Sequence, residues 1–217
     1  MARVDKRKAR ADIYARGLRT DNPKNKKGFS VDHSKPADDN DRVIVNKGQT
    51  YYTWTLFRSA PRISLTYPKR QELTNSGFKI ATYDLEDRIS DLSSLSDLED
   101  LRGELESIAQ DINDLADEQQ DKLSNMPESL QNAPTGELLQ NRYDSLTEWA
   151  QNIEGVDTED PDLDEEEYEN DPELGDQDNE TAKAEHDKKQ EEENDEKKFA
   201  RIAEIAEEAQ QYTYEGE

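Results

Sequence analysis

Hydrophobic residues recur at helical spacing through the middle of the chain, and this pattern predicts two long helices. The first series has alternating spacings of three and four residues, as in a heptad seam along one helix face. Ser96 and Glu99 fit a capping box that begins this helix at residue 97. A second series between residues 135 and 154 then predicts an antiparallel hairpin within 81–156. The two series are Leu98, Leu101, Leu105, Ile108, Ile112 and Leu115, and Leu139, Tyr143, Leu146, Ala150 and Ile153.

Residues 43–80 have a different pattern, in which β-branched and aromatic residues alternate with polar ones. Val43–Val45, residues 50–57 and residues 62–67 are rich in β-forming side chains and are separated by turn signals. We therefore predict two or three short antiparallel strands before the helices.

The two ends of the chain have few apolar residues. Residues 1–42 are predicted to be a basic disordered arm, with a short helix over 5–18 as one option, and residues 157–182 a disordered acidic linker. Residues 183–212 predict a last, amphipathic helix. Its apolar stripe could dock on a partner protein or fold back onto the hairpin, and both options stay open. The stripe contains Phe199, Ile202, Ile205 and Tyr212.

Charge is divided unevenly along the 217 residues, which carry a net charge of −25. Residues 1–80 hold 18 Lys and Arg against 8 Asp and Glu, whereas the rest hold 10 against 45. Leu, Ile, Val and Phe make up only 17% of the chain, and 27 of these 37 residues lie between Val43 and Val156. The predicted fold is therefore mainly α (α+β). It comprises a small antiparallel β segment and a long helical hairpin, flanked by the basic arm and the acidic tail.

Basic residues interleaved with aromatic ones make residues 1–80 a possible nucleic-acid contact. Cations would neutralise phosphates, and aromatic rings would stack on single-stranded bases. The alternative is that the aromatic residues form the core of a small domain. Exposure of Tyr51, Tyr52 and Trp54 together on one face would favour stacking. The candidate residues are Lys6, Arg7, Lys8, Arg10, Tyr51, Tyr52, Trp54, Arg58, Arg62, Lys69 and Arg70.

Catalysis and metal binding are not predicted. The chain has no cysteine, no Gly-rich phosphate loop and only two histidines, His33 and His186, both interpreted as solvated. We predict no enzyme activity, no cofactor and no metal site. The sequence shows no signal peptide and no apolar run that would cross a membrane, so we expect no membrane association and a location in the host cytoplasm or in a virion.

Several segments resemble a group of uncharacterised proteins encoded by tailed bacteriophages. They are KGQTYYTW (47–54), YPKRQELTNS (67–76), YDLEDRI (83–89), NMPESLQ (125–131) and GELLQNRYDSLTEWAQNIEG (136–155). In many relatives the β segment resembles a small zinc ribbon with cysteine pairs. This chain has no cysteine, so packing of Val43, Val45, Ile63 and Leu65 is expected to take the place of the metal.

The resemblance implies a phage origin and a fold, but no activity. Together these features predict a non-catalytic phage accessory protein that acts by macromolecular interaction with an unidentified protein partner. A single-stranded-DNA-binding or replication-associated protein with an autoinhibitory acidic tail is the main alternative. A capsid scaffolding protein is a further one, and the seam at 98–115 could form a homo-oligomer.

Overall fold

The computed structural model describes residues 2–21, 29–57, 59–163, 166–169 and 176–216. It has an α+β fold, as predicted, with small antiparallel sheets and long helices. The chain divides into two compact units, Met1–Tyr83 and Asp84–Glu217.

The described residues of the first unit form seven short strands in three antiparallel sheets. The largest sheet has the order β1-β6-β7, and the other two pair β2 with β5 and β3 with β4. The strands are β1 (Val4–Lys8), β2 (Ile13–Tyr14), β3 (Leu18–Asp21), β4 (Phe29–Asp32), β5 (Val43–Val45), β6 (Thr50–Trp54) and β7 (Arg62–Ser64).

The structure departs from the prediction of a disordered arm over 1–42, because four of these strands lie there. β1 pairs with β6 from Val4 opposite Trp54 to Lys8 opposite Thr50. The backbone of the basic residues 6–8 is therefore part of a sheet. The helix considered for residues 5–18 is not present among the described residues. Cross-strand pairing with residues far along the chain has therefore overridden the local sequence signal.

A buried carboxylate explains part of the order in this segment. Asp41 accepts hydrogen bonds from the backbone N–H groups of Arg16, Gly17 and Ala37 at 2.9–3.0 Å. Burial pushes the pKa of Asp41 upward, but these three donors outweigh it and hold the pKa below its usual range. The carboxylate thus joins two loops that the sequence pattern alone leaves unconnected.

Two small apolar clusters form the core of the first unit. One contains Ala9, Ile13 and Val45, and the other contains Trp54, Leu56 and Leu73. Of the residues expected to replace a metal site, Val45 is 1% exposed and Ile63 packs against the first cluster. Val43 and Leu65 are 40% and 50% exposed, so only Val45 and Ile63 of these four residues pack in the core of the first unit.

The helices agree well with the predicted pattern. They are α1 (Gly77–Asp91), α2 (Leu98–Ser124), α3 (Glu128–Gln131), α4 (Pro134–Glu154) and α5 (Asp176–Gln211), with 3₁₀ turns at Arg70–Leu73 and Leu92–Ser94. None of the helices in these described ranges combines the length and the apolar character needed to cross a bilayer.

The second unit is built on the antiparallel pair of α2 and α4. All six residues of the first seam are buried against the rest of this unit, so the seam is covered within one chain. The N-cap of α2 is Asp97, whose carboxylate accepts from the N–H groups of Glu99 and Asp100, and not the predicted Ser96. Asp97 sits one residue closer to the first helical turn, where its oxygen reaches the N2 and N3 donors.

The last helix begins earlier than predicted, at Asp176 in place of residue 183. Its C-terminal half packs against α2 and the 3₁₀ turn Leu92–Ser94. Trp149, a core residue that the seam pattern had missed, is 2% exposed and donates from its indole N–H to the carbonyl of Tyr212 at 3.0 Å. Tyr212 is thereby fixed to α4.

Arginine side chains hold the beginning of the acidic linker. Arg201 reaches the Asp157 carboxylate at 2.8 Å, and Arg102 reaches that of Asp160 at 2.8 Å. A backbone hydrogen bond from Glu159 and the contact with Arg201 lower the pKa of Asp157. The described residues 157–163 have no regular secondary structure, yet disorder is not confirmed for them, because they are attached to α2 and α5.

Candidate nucleic-acid interface

The sheet β1-β6-β7 separates the predicted contact residues onto two faces. Successive side chains in a strand point to opposite faces, and directly paired residues share a face. Arg7 therefore lies on the same face as its partner Tyr51, whereas Lys6 lies with its partner Tyr52 on the other face. Arg58 is outside the described residues.

The observation that would have favoured base stacking, exposure of Tyr51, Tyr52 and Trp54 together on one face, is not found. Tyr51 and Tyr52 are neighbours in β6 and so face opposite ways. Trp54 is 3% exposed and donates from its indole N–H to the carbonyl oxygen of Glu72 at 2.9 Å. For Trp54 the alternative interpretation, a core aromatic residue, is the correct one.

On the Arg7 face, the chain forms an open cleft of about 960 Å³. Arg7 and Arg10 supply cationic groups at this cleft, and Tyr51 and Ile63 supply apolar and aromatic surface. Lys8 lies at the rim of the cleft, with its side chain on the face of Lys6. Tyr51 and Ile63 pack against the apolar cluster of Ala9, Ile13 and Val45, and this cluster supports the surface of the cleft. The cleft therefore combines cations with an aromatic ring.

The charges of the cleft are incompletely neutralised by the protein. Arg7 is paired with Asp5 at 3.2 Å, and both side chains are largely exposed. Lys8 and Arg10 are exposed, and neither forms an ion pair with the described parts of the chain. The acidic residue of the cleft, Asp12, accepts a hydrogen bond from the backbone N–H of Lys47 at 2.7 Å. Cationic character dominates, and this favours an anionic ligand.

His33 also lines the cleft, although the sequence suggested only a solvated histidine. Its Nδ1 lies 2.9 Å from the carbonyl oxygen of Tyr14, so Nδ1 is assigned as the protonated nitrogen. Its Nε2 is buried without a hydrogen-bond partner among the described residues. Neither β4 nor the pairing that brings residue 33 to this position was predicted from the sequence.

The opposite face carries a smaller group of aromatic and cationic residues. The ring centroids of Tyr52 and Tyr67 are 5.5 Å apart in an edge-to-face arrangement, and the Lys6 Nζ lies 5.9 Å from the centre of the Tyr52 ring. Tyr67 is 64% exposed. Arg62 is an exposed neighbour of Trp54 across the sheet and is close to the carbonyl of Glu72.

Two further predicted contacts, Lys69 and Arg70, do not line the cleft. Lys69 and Arg70 flank the start of the 3₁₀ turn, and the Arg70 guanidinium lies 4.7 Å from the centre of the Tyr83 ring. Arg70 is therefore engaged in a cation–π contact within the first unit.

The predicted partner-docking stripe on α5 is mostly used inside the second unit. Ile202 and Ile205 are 2% and 0% exposed, and the Tyr212 carbonyl accepts the Trp149 hydrogen bond. Phe199 is 55% exposed. The sequence left two options open, docking on a partner or folding back onto the hairpin. Ile202 and Ile205 are buried within the second unit, as the option of folding back predicts.

The cleft of the first unit thus presents cationic and aromatic side chains. Within the described residues, no group of three His, Cys, Asp or Glu side chains is placed to hold a metal ion. Comparison of the chain with protein-family models, curated proteins and solved structures finds no match in any of the three.

Proposed function

We propose that this chain is a non-catalytic interaction protein whose first unit binds nucleic acid through the basic cleft. The observation that supports this best is the position of Arg7 and Arg10 beside an aromatic surface, with Lys8 at the rim of the cleft. Neither Lys8 nor Arg10 forms an ion pair within the described ranges. Phosphates would take up these charges and release counterions, which is the main source of affinity in most nucleic-acid complexes.

The division of charge supports a nucleic-acid partner for the first unit in particular. Residues 1–80 have a ten-charge excess of Lys and Arg, while the remaining chain is strongly acidic. An acidic second unit would repel nucleic acid and restrict binding to the first. The phage accessory role and autoinhibition by the acidic tail stay predictions.

The test is fluorescence anisotropy with a labelled 20-nucleotide DNA at low salt. The double variant R7Q/R10Q removes two cleft cations, and we expect it to weaken binding about tenfold. The matched control K188Q/K189Q removes two exposed cations from α5 with the same change in net charge.

We expect the control to bind DNA as tightly as the unmodified chain does. Equal weakening in both variants would mean that only net charge matters and would contradict a specific role for the cleft. Absence of DNA binding by the unmodified chain would refute the proposed function.

A further inference from the structure

We infer that Tyr67 and Tyr52 form a base-stacking site on the sheet face opposite the cleft, and that the nucleic acid bound by the first unit is single-stranded. This inference rests on the proposed function and adds the class of nucleic acid. Its basis is the aromatic pair beside Lys6, which lies outside the cleft.

Tyr67 is held in an exposed position by its neighbours in the chain. Before it, the Ser64 hydroxyl accepts a hydrogen bond from the Thr66 N–H at 3.1 Å and lies 3.1 Å from the Thr66 hydroxyl. After it, Pro68 is buried. Tyr67 is 64% exposed between these two residues, so much of the side chain is accessible to a flat apolar ligand.

Cationic residues around the tyrosine pair indicate which flat ligand fits. Lys6 contacts the Tyr52 ring. Lys8 lies two residues further along β1 and therefore on the same face of the sheet. Neither lysine forms an ion pair with the described residues. Aromatic rings next to unpaired cations match a nucleotide, in which a base stacks while the adjacent phosphate meets the positive charge.

The position of β1 at the edge of its sheet favours a single strand over a duplex. Within the described residues β1 pairs only with β6, and it carries Lys6 and Lys8 on one face and Arg7 on the other. A flexible strand can pass around this edge and meet cations on both faces. Bases in a duplex are stacked on one another and cannot reach Tyr67. Lysines on an edge strand also discourage pairing with other chains, and this role alone would not require the tyrosines.

The experiment compares three labelled probes of equal length: single-stranded oligo(dT), duplex DNA and an abasic strand with phosphates but no bases. We expect oligo(dT) to bind most tightly. The variant Y67A should weaken oligo(dT) binding about tenfold and leave the abasic strand unchanged, because one stacking contact is lost. Y67F should retain most of the affinity, and L65A, at a similarly exposed position without a ring, should behave as the unmodified chain does.

Other outcomes separate the two proposals. If Y67A binds oligo(dT) normally while R7Q/R10Q binds all probes weakly, the stacking site is wrong and the cleft function stands. If no probe binds, both proposals fail. Should Y67A unfold, Y67W keeps a ring, and its fluorescence should be quenched by oligo(dT) but not by the abasic strand. Unchanged fluorescence with oligo(dT) would overturn the inference.

Discussion

Replacing Ile205 with alanine tests whether the last helix is part of the folded second unit. Ile205 is 0% exposed, so its truncation removes buried methyl groups and leaves a cavity that the neighbouring side chains only partly fill. Such substitutions cost about 2–5 kcal/mol of unfolding free energy. A loss of about 3 kcal/mol, near the middle of this range, should lower the melting temperature by roughly 6–12 °C for a protein of this size.

Phe199 provides the control on the same helix. It is larger than Ile205 but 55% exposed, and we expect F199A to change the unfolding free energy by about 0.5 kcal/mol or less. Circular dichroism at 222 nm, followed during heating and in urea, measures both variants. Equal, small effects of I205A and F199A would show that α5 is not docked, and the fold-back of the stripe would be refuted.

Three residues in the first unit give two further expectations. The lowered pKa of Asp41 means that its carboxylate stabilises the fold above its unfolded-state pKa of about 3.9. This contribution is lost as the pH falls through the lower folded pKa, so the melting temperature of D41N should depend less on pH below about 4, and equal acid sensitivity would contradict this. Gly17 has φ +62°, and a methyl group there would lie 2.8 Å from the His33 Cα, whereas Gly48 has φ +89° and open space around it. G17A should therefore lower the melting temperature more than G48A does, and similar losses would refute the close-packing argument.

The helical part of the fold could be predicted because its signals are local and periodic. The seam from Leu98 to Leu115 specifies which face of α2 is buried, and α4 spans Pro134–Glu154, close to the predicted range 135–154. Trp149 was missed because it lies between the seam positions Leu146 and Ala150. It is hydrogen-bonded to Tyr212, a residue that the local pattern of α4 does not reveal.

The order of the first 42 residues could not be predicted in the same way. β1 depends on β6, more than 40 residues further along, and the loops around Gly17 depend on the carboxylate of Asp41. A charged, apolar-poor segment resembles a disordered one unless these distant partners are known. Short strands of two to five residues also give little periodic signal.

The candidate site was partly visible in the sequence. Arg7, Lys8, Arg10 and Tyr51 were predicted because basic and aromatic residues are interleaved in this part of the sequence, and all four line one cleft. The division of Tyr51 and Tyr52 between two faces follows from strand alternation and was available in the sequence. The contribution of His33 requires the pairing of β2 with β5 and of β3 with β4, which no local pattern specified.

Binding of single-stranded DNA as a function of salt concentration tests the central claim most directly. With Arg7 and Arg10 in the cleft and Lys8 at its rim neutralising phosphates, the logarithm of the association constant should fall against the logarithm of salt concentration with a slope of about −2. The slope for R7Q/R10Q should be close to −1. No binding at low salt, or the same slope for both proteins, would contradict a nucleic-acid interface at this cleft.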